Sequence, residues 1–337
     1  MKSLEKFVQT ITGSQRVQLL DVIQSLWSGY GVIQRALLHG NQHGGTIDPL
    51  PVVIKHIDLS QVRENRRGWG SDLSHQRKVR SYQVEKSFYE LLASRCEKRC
   101  TVPRLIAAEE TEIASGWIII LSDLDSDGYS TRKDHATLRD MEACLTWLAN
   151  FHAEFLGIDD HNLWPTGTYW HLETRPDEYN AMPNGRLKKA ATAIDQRLNN
   201  ARFKTLVHGD AKLANFCFTG GQPTSVAAVD FQYVGGGCGI KDVAYFISSC
   251  LSDRDAERMQ KQLLAFYFDQ LQQAITARSA AVDFAELESE WRALYAYAWA
   301  DFCRFLTGWS PGHWKLNSYT DAITERVLDE LDERSSE

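Results

Sequence analysis

Residues 205–218 read TLVHGDAKLANFCF, and residues 227–236 read AAVDFQYVGG. The first stretch carries His208, Asp210 and Asn215 in the spacing H-x-D-x4-N. The second places Asp230 twenty residues beyond Asp210. Each follows a short apolar run, KTLV before His208 and SVAAV before Asp230, of the kind that forms a buried strand. Asp and Asn are also common turn and cap residues, so an isolated H-x-D-x4-N is a weak signal that needs support from elsewhere in the chain.

One chemistry asks for this arrangement. Phosphoryl transfer needs a carboxylate beside the attacking hydroxyl and oxygen ligands for magnesium, and its recurring patterns are H-R-D-x4-N and the Asp of D-F-G. The interval from Asp210 to Asn215 has that spacing, and Asp230-Phe231 matches the D-F. Magnesium takes few protein ligands and leaves positions for phosphate oxygens, which suits one Asp and one Asn.

Support comes from upstream. In PVVIKHID, alternation puts Val53, Lys55 and Ile57 on one face of a strand, so the ammonium projects among apolar neighbours. A desolvated lysine needs a counter-charge, which Glu85 on the following helix can supply; a lysine on a strand edge that snorkels to water is the alternative. The surrounding first third reads as strands: SLWSGYGVIQRALLHG as two around a turn at Ser28-Gly29-Tyr30-Gly31, and VPRLIAAEE with SGWIIILSD as another pair. Residues 15–27 fit strand and helix periods alike. Residues 74–96 read as helix, SDLDSDGYSTRKD as a hinge near 122–133, and the remainder as mainly helical with a short inserted β-hairpin. The expected fold class is α+β and two-lobed: residues 1–125 as a small antiparallel-sheet nucleotide lobe with a hinge near 122–128, and residues 126–337 as a larger helical lobe holding the catalytic loop and acceptor site.

Bulk properties agree. The chain has 337 residues with 43% hydrophobic and 24% charged, an ordinary globular composition, and a formal charge of −7. An acidic balance argues against holding nucleic acid through phosphate neutralisation. Seven cysteines without metal-ligand spacing to a histidine cluster read as free thiols. With no apolar stretch near the ~18 residues of a membrane span, the expectation is a soluble cytoplasmic protein with no membrane or nucleic-acid partner.

The motifs together resemble the aminoglycoside phosphotransferase and choline kinase group, most closely its ecdysteroid-kinase-like branch. VIKHI is similar to the nucleotide-lysine strand and EKSFYELL to that branch's helix, which selects Glu85 over Glu90. LANFHAEF, HGDAKLANF and VDFQYVGGGCGIKDVAYF follow in the family's order. The resemblance implies a protein-kinase-like fold with ATP, possible use of GTP, and Mg2+. It implies Asp210 as the group that orients or deprotonates the acceptor hydroxyl. Asn215 and Asp230 are implied as metal ligands, Lys55 with Glu85 as the phosphate-holding pair, and Asp242 as a brace for the catalytic loop. His208 reads as an organiser of that loop.

Three positions depart from the family pattern. Ser122 stands where the hinge usually has Glu. Lys212 stands where the branch favours Trp; it touches the γ-phosphate or simply faces solvent. With no G-x-G-x-x-G, Gly29 and Gly31 are left to cover the phosphates. Asp242 follows Asp230 by only twelve positions, and no A-P-E follows, so no peptide platform is expected and the acceptor is expected to be a small hydroxyl compound. Aromatic residues such as Trp309 and Trp314 suit an apolar or cationic acceptor, with Asp301 and Glu173 as candidate partners for a cation. The rival class is a catalytically silent kinase fold that binds nucleotide or ligand without transfer. A metal-dependent phosphoesterase would want more His and Asp ligands than the chain offers.

Overall fold

The alternating run Leu50–Ile57, LPVVIKHI, forms β3, the middle strand of a five-stranded antiparallel sheet. The computed structural model describes residues 4–26, 29–40, 49–61, 72–96, 98–111, 116–221 and 224–334. Before β3 come α1 (Leu4–Thr12), β1 (Arg16–Ser25) and β2 (Gly31–His39). After it come α2 (Asp72–Leu91), β4 (Leu105–Thr111) and β5 (Gly116–Ser122). The strand order is β1-β2-β3-β5-β4.

The period of two along β3 divides its side chains between two cores. Val52 and Ile54 join Ile118 and Ile120 of β5 in a cluster capped by Val8 of α1. On the other face Ile57 and Ile119 pack with Tyr82, Val84 and Phe88 of α2. Lys55, in register with Ile33 and Ile119, shares the α2 face.

Two expectations for this region change. Residues 16–25, which fit either period, are strand, because β2 supplies backbone partners from Arg16↔His39 to Ser25↔Val32. Helix α1 was not anticipated: its nine residues form against a sheet face that would otherwise lie open. In the turn before β2, the Leu26 N–H donates to Gly31 O at 2.8 Å and the Gly29 N–H to Leu26 O at 3.2 Å, while Ser28 lies outside the described residues. Gly31, at φ +125°, has His56 O only 2.0 Å from where a β-carbon would stand. It is therefore needed for the close approach of β2 to β3.

The larger part of the chain is helical, with α3 (Leu138–Glu154), α4 (Pro176–Ala181), α5 (Arg186–Asn199), α6 (Ile240–Cys250), α7 (Asp253–Ala277), α8 (Phe284–Trp309) and α9 (Ser318–Arg334). Thr137 and Asp140 form a capping box that starts α3, on which Met141, Leu145, Leu148 and His152 are buried. Instead of one inserted hairpin there are two two-stranded sheets. β6 (Thr205–Val207) pairs with β9 (Gly235–Gly237), and β7 (Phe216–Phe218) with β8 (Val226–Ala228). Between the two parts, Arg35 of β2 reaches Asp123 at 3.3 Å and Asp125 at 2.5 Å. Ser122 is buried, and its hydroxyl accepts the Arg104 N–H at 3.1 Å. All seven cysteines are free. Among the described residues no helix is long and apolar enough to cross a membrane.

Candidate active site

The loop between β6 and β7 is held from beneath by one fully buried carboxylate. Asp242, in the first turn of α6, accepts the His208 N–H at 2.6 Å and the Gly209 N–H at 3.0 Å. His152 of α3 lies 3.2 Å from the same carboxylate through Nε2, and its Nδ1 is 2.7 Å from the Tyr267 hydroxyl. A buried carboxylate surrounded by donors resists displacement, because every lost bond leaves a desolvated charge unpaired. The His208 ring is also buried, bridging the Val229 carbonyl at 3.0 Å and the Asp210 N–H at 3.2 Å. Gly209 is at φ +79°, and a β-carbon there would stand 2.1 Å from Tyr233 O.

This bracing aims Asp210. Its Oδ1 accepts the Tyr245 hydroxyl at 3.1 Å; its Oδ2 accepts Lys212 Nζ at 2.9 Å and Asn215 Nδ2 at 3.1 Å. Burial works against the Lys212 charge, but the Asp210 and Asp230 carboxylates outweigh it and hold its pKa above the usual lysine value. Because Asn215 Nδ2 also donates to Asp210 O at 2.8 Å, Oδ1 is the amide's remaining acceptor.

Lys55 and Glu85 meet at 2.5 Å, both buried. Asp230 Oδ1 lies 3.6 Å from the same ammonium. Burial opposes the Lys55 charge, and Glu85 with Asp230 reverses the effect, so the lysine stays protonated well into alkaline solution. Asp230 sits at φ +70°, a strained backbone for a residue with a β-carbon, in the turn after β8. Burial raises its carboxyl pKa, and Lys55, Lys78 and Lys212 together lower it below the usual value.

The structure thus sets Lys55 and Glu85 beside Asp230, and Asn215 beside Asp210, with Lys212 between the two carboxylates. Gly29 and Gly31 shape the β1–β2 turn. Asn215 Oδ1 and the Asp230 carboxylate, whose side chain is 33% exposed, are the oxygen donors that fit a magnesium ion. Among the described residues there is no cluster of three or more His, Cys, Asp and Glu that would cage a metal by itself.

Asp301 is not a free acid. It is fully buried and bonded to Arg304 at 2.8 Å and to Trp170 Nε1 at 3.0 Å, while Glu173 lies out in solvent beside His171. Trp291, Tyr295 and Phe302 are core, and Trp314 is 59% exposed.

Several residues of the site went unnoticed in the sequence. Tyr245 lies one turn beyond Asp242 on α6, a spacing that does not reveal where its hydroxyl points. Lys78 lies two turns before Glu85 on α2. Its Nζ donates to Gln232 Oε1 at 2.5 Å, and Gln232 Nε2 donates to Asp230 Oδ1 at 2.5 Å. Lys315, between α8 and α9, is nine-tenths buried. It donates to Ser248 Oγ at 3.0 Å and faces the rings of Tyr245, Phe302 and Trp314 at 4.8, 5.3 and 5.5 Å.

Comparison with known proteins adds three findings. The model of the ecdysteroid kinase-like family matches residues 171–279, a span that holds the His208–Asn215 loop, Asp230 and Asp242. No curated protein sequence matches the chain. Among solved structures, a Ralstonia eutropha protein whose assignment as an aminoglycoside phosphotransferase is itself provisional aligns over 97% of this chain and 94% of its own. It is 11% identical, with a TM-score of 0.50. An amicoumacin kinase in complex with AMP-PNP and Ca2+ aligns over 98% of this chain and 92% of its own, at 12% identity and a TM-score of 0.49. The choline kinase of Streptococcus pneumoniae aligns over 94% of each chain, at 13% identity and a TM-score of 0.47. The fold is the α+β, two-lobed, protein-kinase-like one: a five-stranded antiparallel sheet lobe and a larger helical lobe.

Proposed function

We propose that the protein is a small-molecule kinase, moving the γ-phosphoryl group of ATP to a hydroxyl of a small organic acceptor with magnesium. The observation that carries this is the convergence on Asp230: Lys55 stands 3.6 Å from it, already paired with Glu85, and Lys212 links it electrostatically to Asp210. The division into a nucleotide lobe and an acceptor lobe falls at 122–128, where Arg35 ties the sheet to Asp123 and Asp125.

In this scheme Lys55, held by Glu85, binds the α- and β-phosphates. Asn215 and Asp230 would hold magnesium, which when bound would supply positive charge to the nucleotide's phosphates. Asp210 orients the acceptor hydroxyl and takes its proton, while the Tyr245 hydroxyl and the Asn215 amide keep the carboxylate in one rotamer. Catalysis is then mostly positioning and charge neutralisation, with little covalent work for the protein.

The acceptor is a small hydroxyl compound, apolar or cationic, and Asp301 is not free to pair with a cationic one. Asp301 is spent on Arg304, and the aromatic box of Tyr245, Phe302 and Trp314 already holds the chain's own Lys315 ammonium. A peptide substrate is disfavoured by the tight packing of 231–239, where β-carbons added at Gly235 and Gly236 would meet Trp164 O at 2.2 Å and Pro165 O at 2.7 Å.

The test is incubation of γ-labelled ATP, then γ-labelled GTP, with magnesium and a pooled panel of sterols, sugars, macrolides, aminoglycosides and choline. Asp210→Asn serves as the blank. Label in an organic product with wild type alone supports the kinase, and wild-type turnover by Asp210→Asn removes that residue as base. Magnesium-dependent nucleotide binding with no transfer to any compound favours the silent fold.

A further inference from the structure

Lys315 follows Trp314 in the short connection between α8 and α9, and its backbone is pinned on both sides. Its N–H donates to His313 Nδ1 at 3.2 Å, and its carbonyl accepts the Thr320 hydroxyl at 3.0 Å. The side chain turns inward, buried, with Nζ donating to Ser248 Oγ on α6. Among the described residues it pairs with no carboxylate. Three rings surround it instead: Tyr245 and Phe302, both buried and 5.1 Å apart, and the exposed Trp314.

This aromatic box lies against the carboxylate that the scheme above assigns to the acceptor. The Tyr245 ring forms one wall, and its hydroxyl donates to Asp210 at 3.1 Å; the Asp210 charge also acts on the Lys315 ammonium. Lys315 and Trp314 line one pocket with Ser248, Leu251 and Trp299, so a ligand entering beside Trp314 meets the ammonium. Ring faces attract ammonium and quaternary ammonium ions alike. One cation satisfies the box. A second brought to the same rings meets a like charge at a few ångströms, with no carboxylate paired to the first to offset it.

We infer that Lys315 is a specificity-determining residue of the acceptor site, a built-in ammonium that fills the aromatic box and excludes cationic acceptors in favour of uncharged hydroxyl compounds. This rests on the kinase reading given above and narrows its acceptor class. The competing role is a structural tether that only fastens the α8–α9 connection to α6. A tether leaves the choice of acceptor unchanged when it is cut.

The experiment compares wild type, Lys315→Ala and Lys315→Met in two measurements. One is the dissociation constant of tetramethylammonium, by NMR titration with Mg·ADP present; the other is transfer of label from γ-labelled ATP to choline, a hydroxyl compound carrying that ion. Alanine empties the box of a group nearly the size of tetramethylammonium, whereas methionine removes the charge and keeps the box filled. The expected result is tetramethylammonium binding at least about tenfold tighter in Lys315→Ala than in the other two, with labelled choline from that variant alone. Mg·ADP affinity within about twofold of wild type reports that both variants are folded. Equal tetramethylammonium binding by wild type and Lys315→Ala, labelled choline from wild type, or tighter binding in Lys315→Ala without transfer overturns the assignment. Absence of Mg·ADP binding to wild type overturns the kinase reading, and the assignment with it.

Discussion

Lys315 shows how a single buried charge becomes measurable. Burial lowers its pKa from 10.5 to about 8, against the pull of Asp210 in the other direction. The folded lysine thus releases its proton before the unfolded one does. Between pH 8 and 10.5 the unfolded chain binds more protons, and this group's contribution to stability rises with pH across that window. Below pH 8 the cost of burying the charge is fully present. The shift alone corresponds to about 3 kcal/mol, which the three surrounding rings offset in part. Urea unfolding at pH 7.5 and pH 10 should therefore show wild type gaining about 1–3 kcal/mol relative to Lys315→Met. Parallel behaviour of the two proteins would mean the ammonium is better solvated than its burial implies.

At the scale of elements, the sheet depends on what covers each face. Val8 of α1 is fully buried against Val52, Ile54, Ile118 and Ile120, the strand positions that alternate with Lys55 and Ile119. Truncating it leaves a cavity on the sheet face opposite Lys55. Val8→Ala should cost about 2 kcal/mol in urea unfolding while leaving Mg·ADP affinity unchanged, because α1 touches the site only through the sheet. A drop in nucleotide affinity would show that β3 moves when its rear face is loosened. Helix α6 works differently: Asp242 braces the loop backbone and Tyr245 reaches Asp210, so one helix positions both the loop and its carboxylate.

For the whole molecule, the proposed nucleotide site lies where the sheet lobe and the helical lobe meet, so binding there should couple to stability. The Lys55–Glu85 pair belongs to the sheet and α2, Asp230 and Asn215 to the helical part. A magnesium nucleotide bridging them should stabilise the folded protein by mass action, about 2.7 kcal/mol at a hundredfold excess over Kd. Thermal unfolding should show a rise in Tm with Mg·ATP that EDTA removes, and Asp230→Ala should abolish the magnesium-dependent part. An undiminished rise in that variant would place the metal on other residues.

Much of the site was legible from residue types at fixed intervals. Asp210 and Asn215 stand together as their motif spacing suggested, and Lys55 of the alternating strand meets Asp230 and Glu85, the latter chosen over Glu90 by the family resemblance. Local geometry explains this: a period of two fixes the face on which Lys55 lies, and a tight loop closed by Gly209 keeps Asp210 and Asn215 together. The short Asp230–Asp242 segment argued against peptide docking for the same local reason.

What stayed illegible depends on partners distant in the chain. Helix α1 exists because a sheet face needs cover, and residues 16–25 are strand because β2 pairs with them. Asp301 reads as a free acid until Trp170 and Arg304 close around it. Lys78, Tyr245 and Lys315 carry no local signature, since which group a long side chain reaches is set only when α2, α6 and the segment before α9 pack around one cleft. Periodicity fixes the face of an element; only packing decides what that face meets.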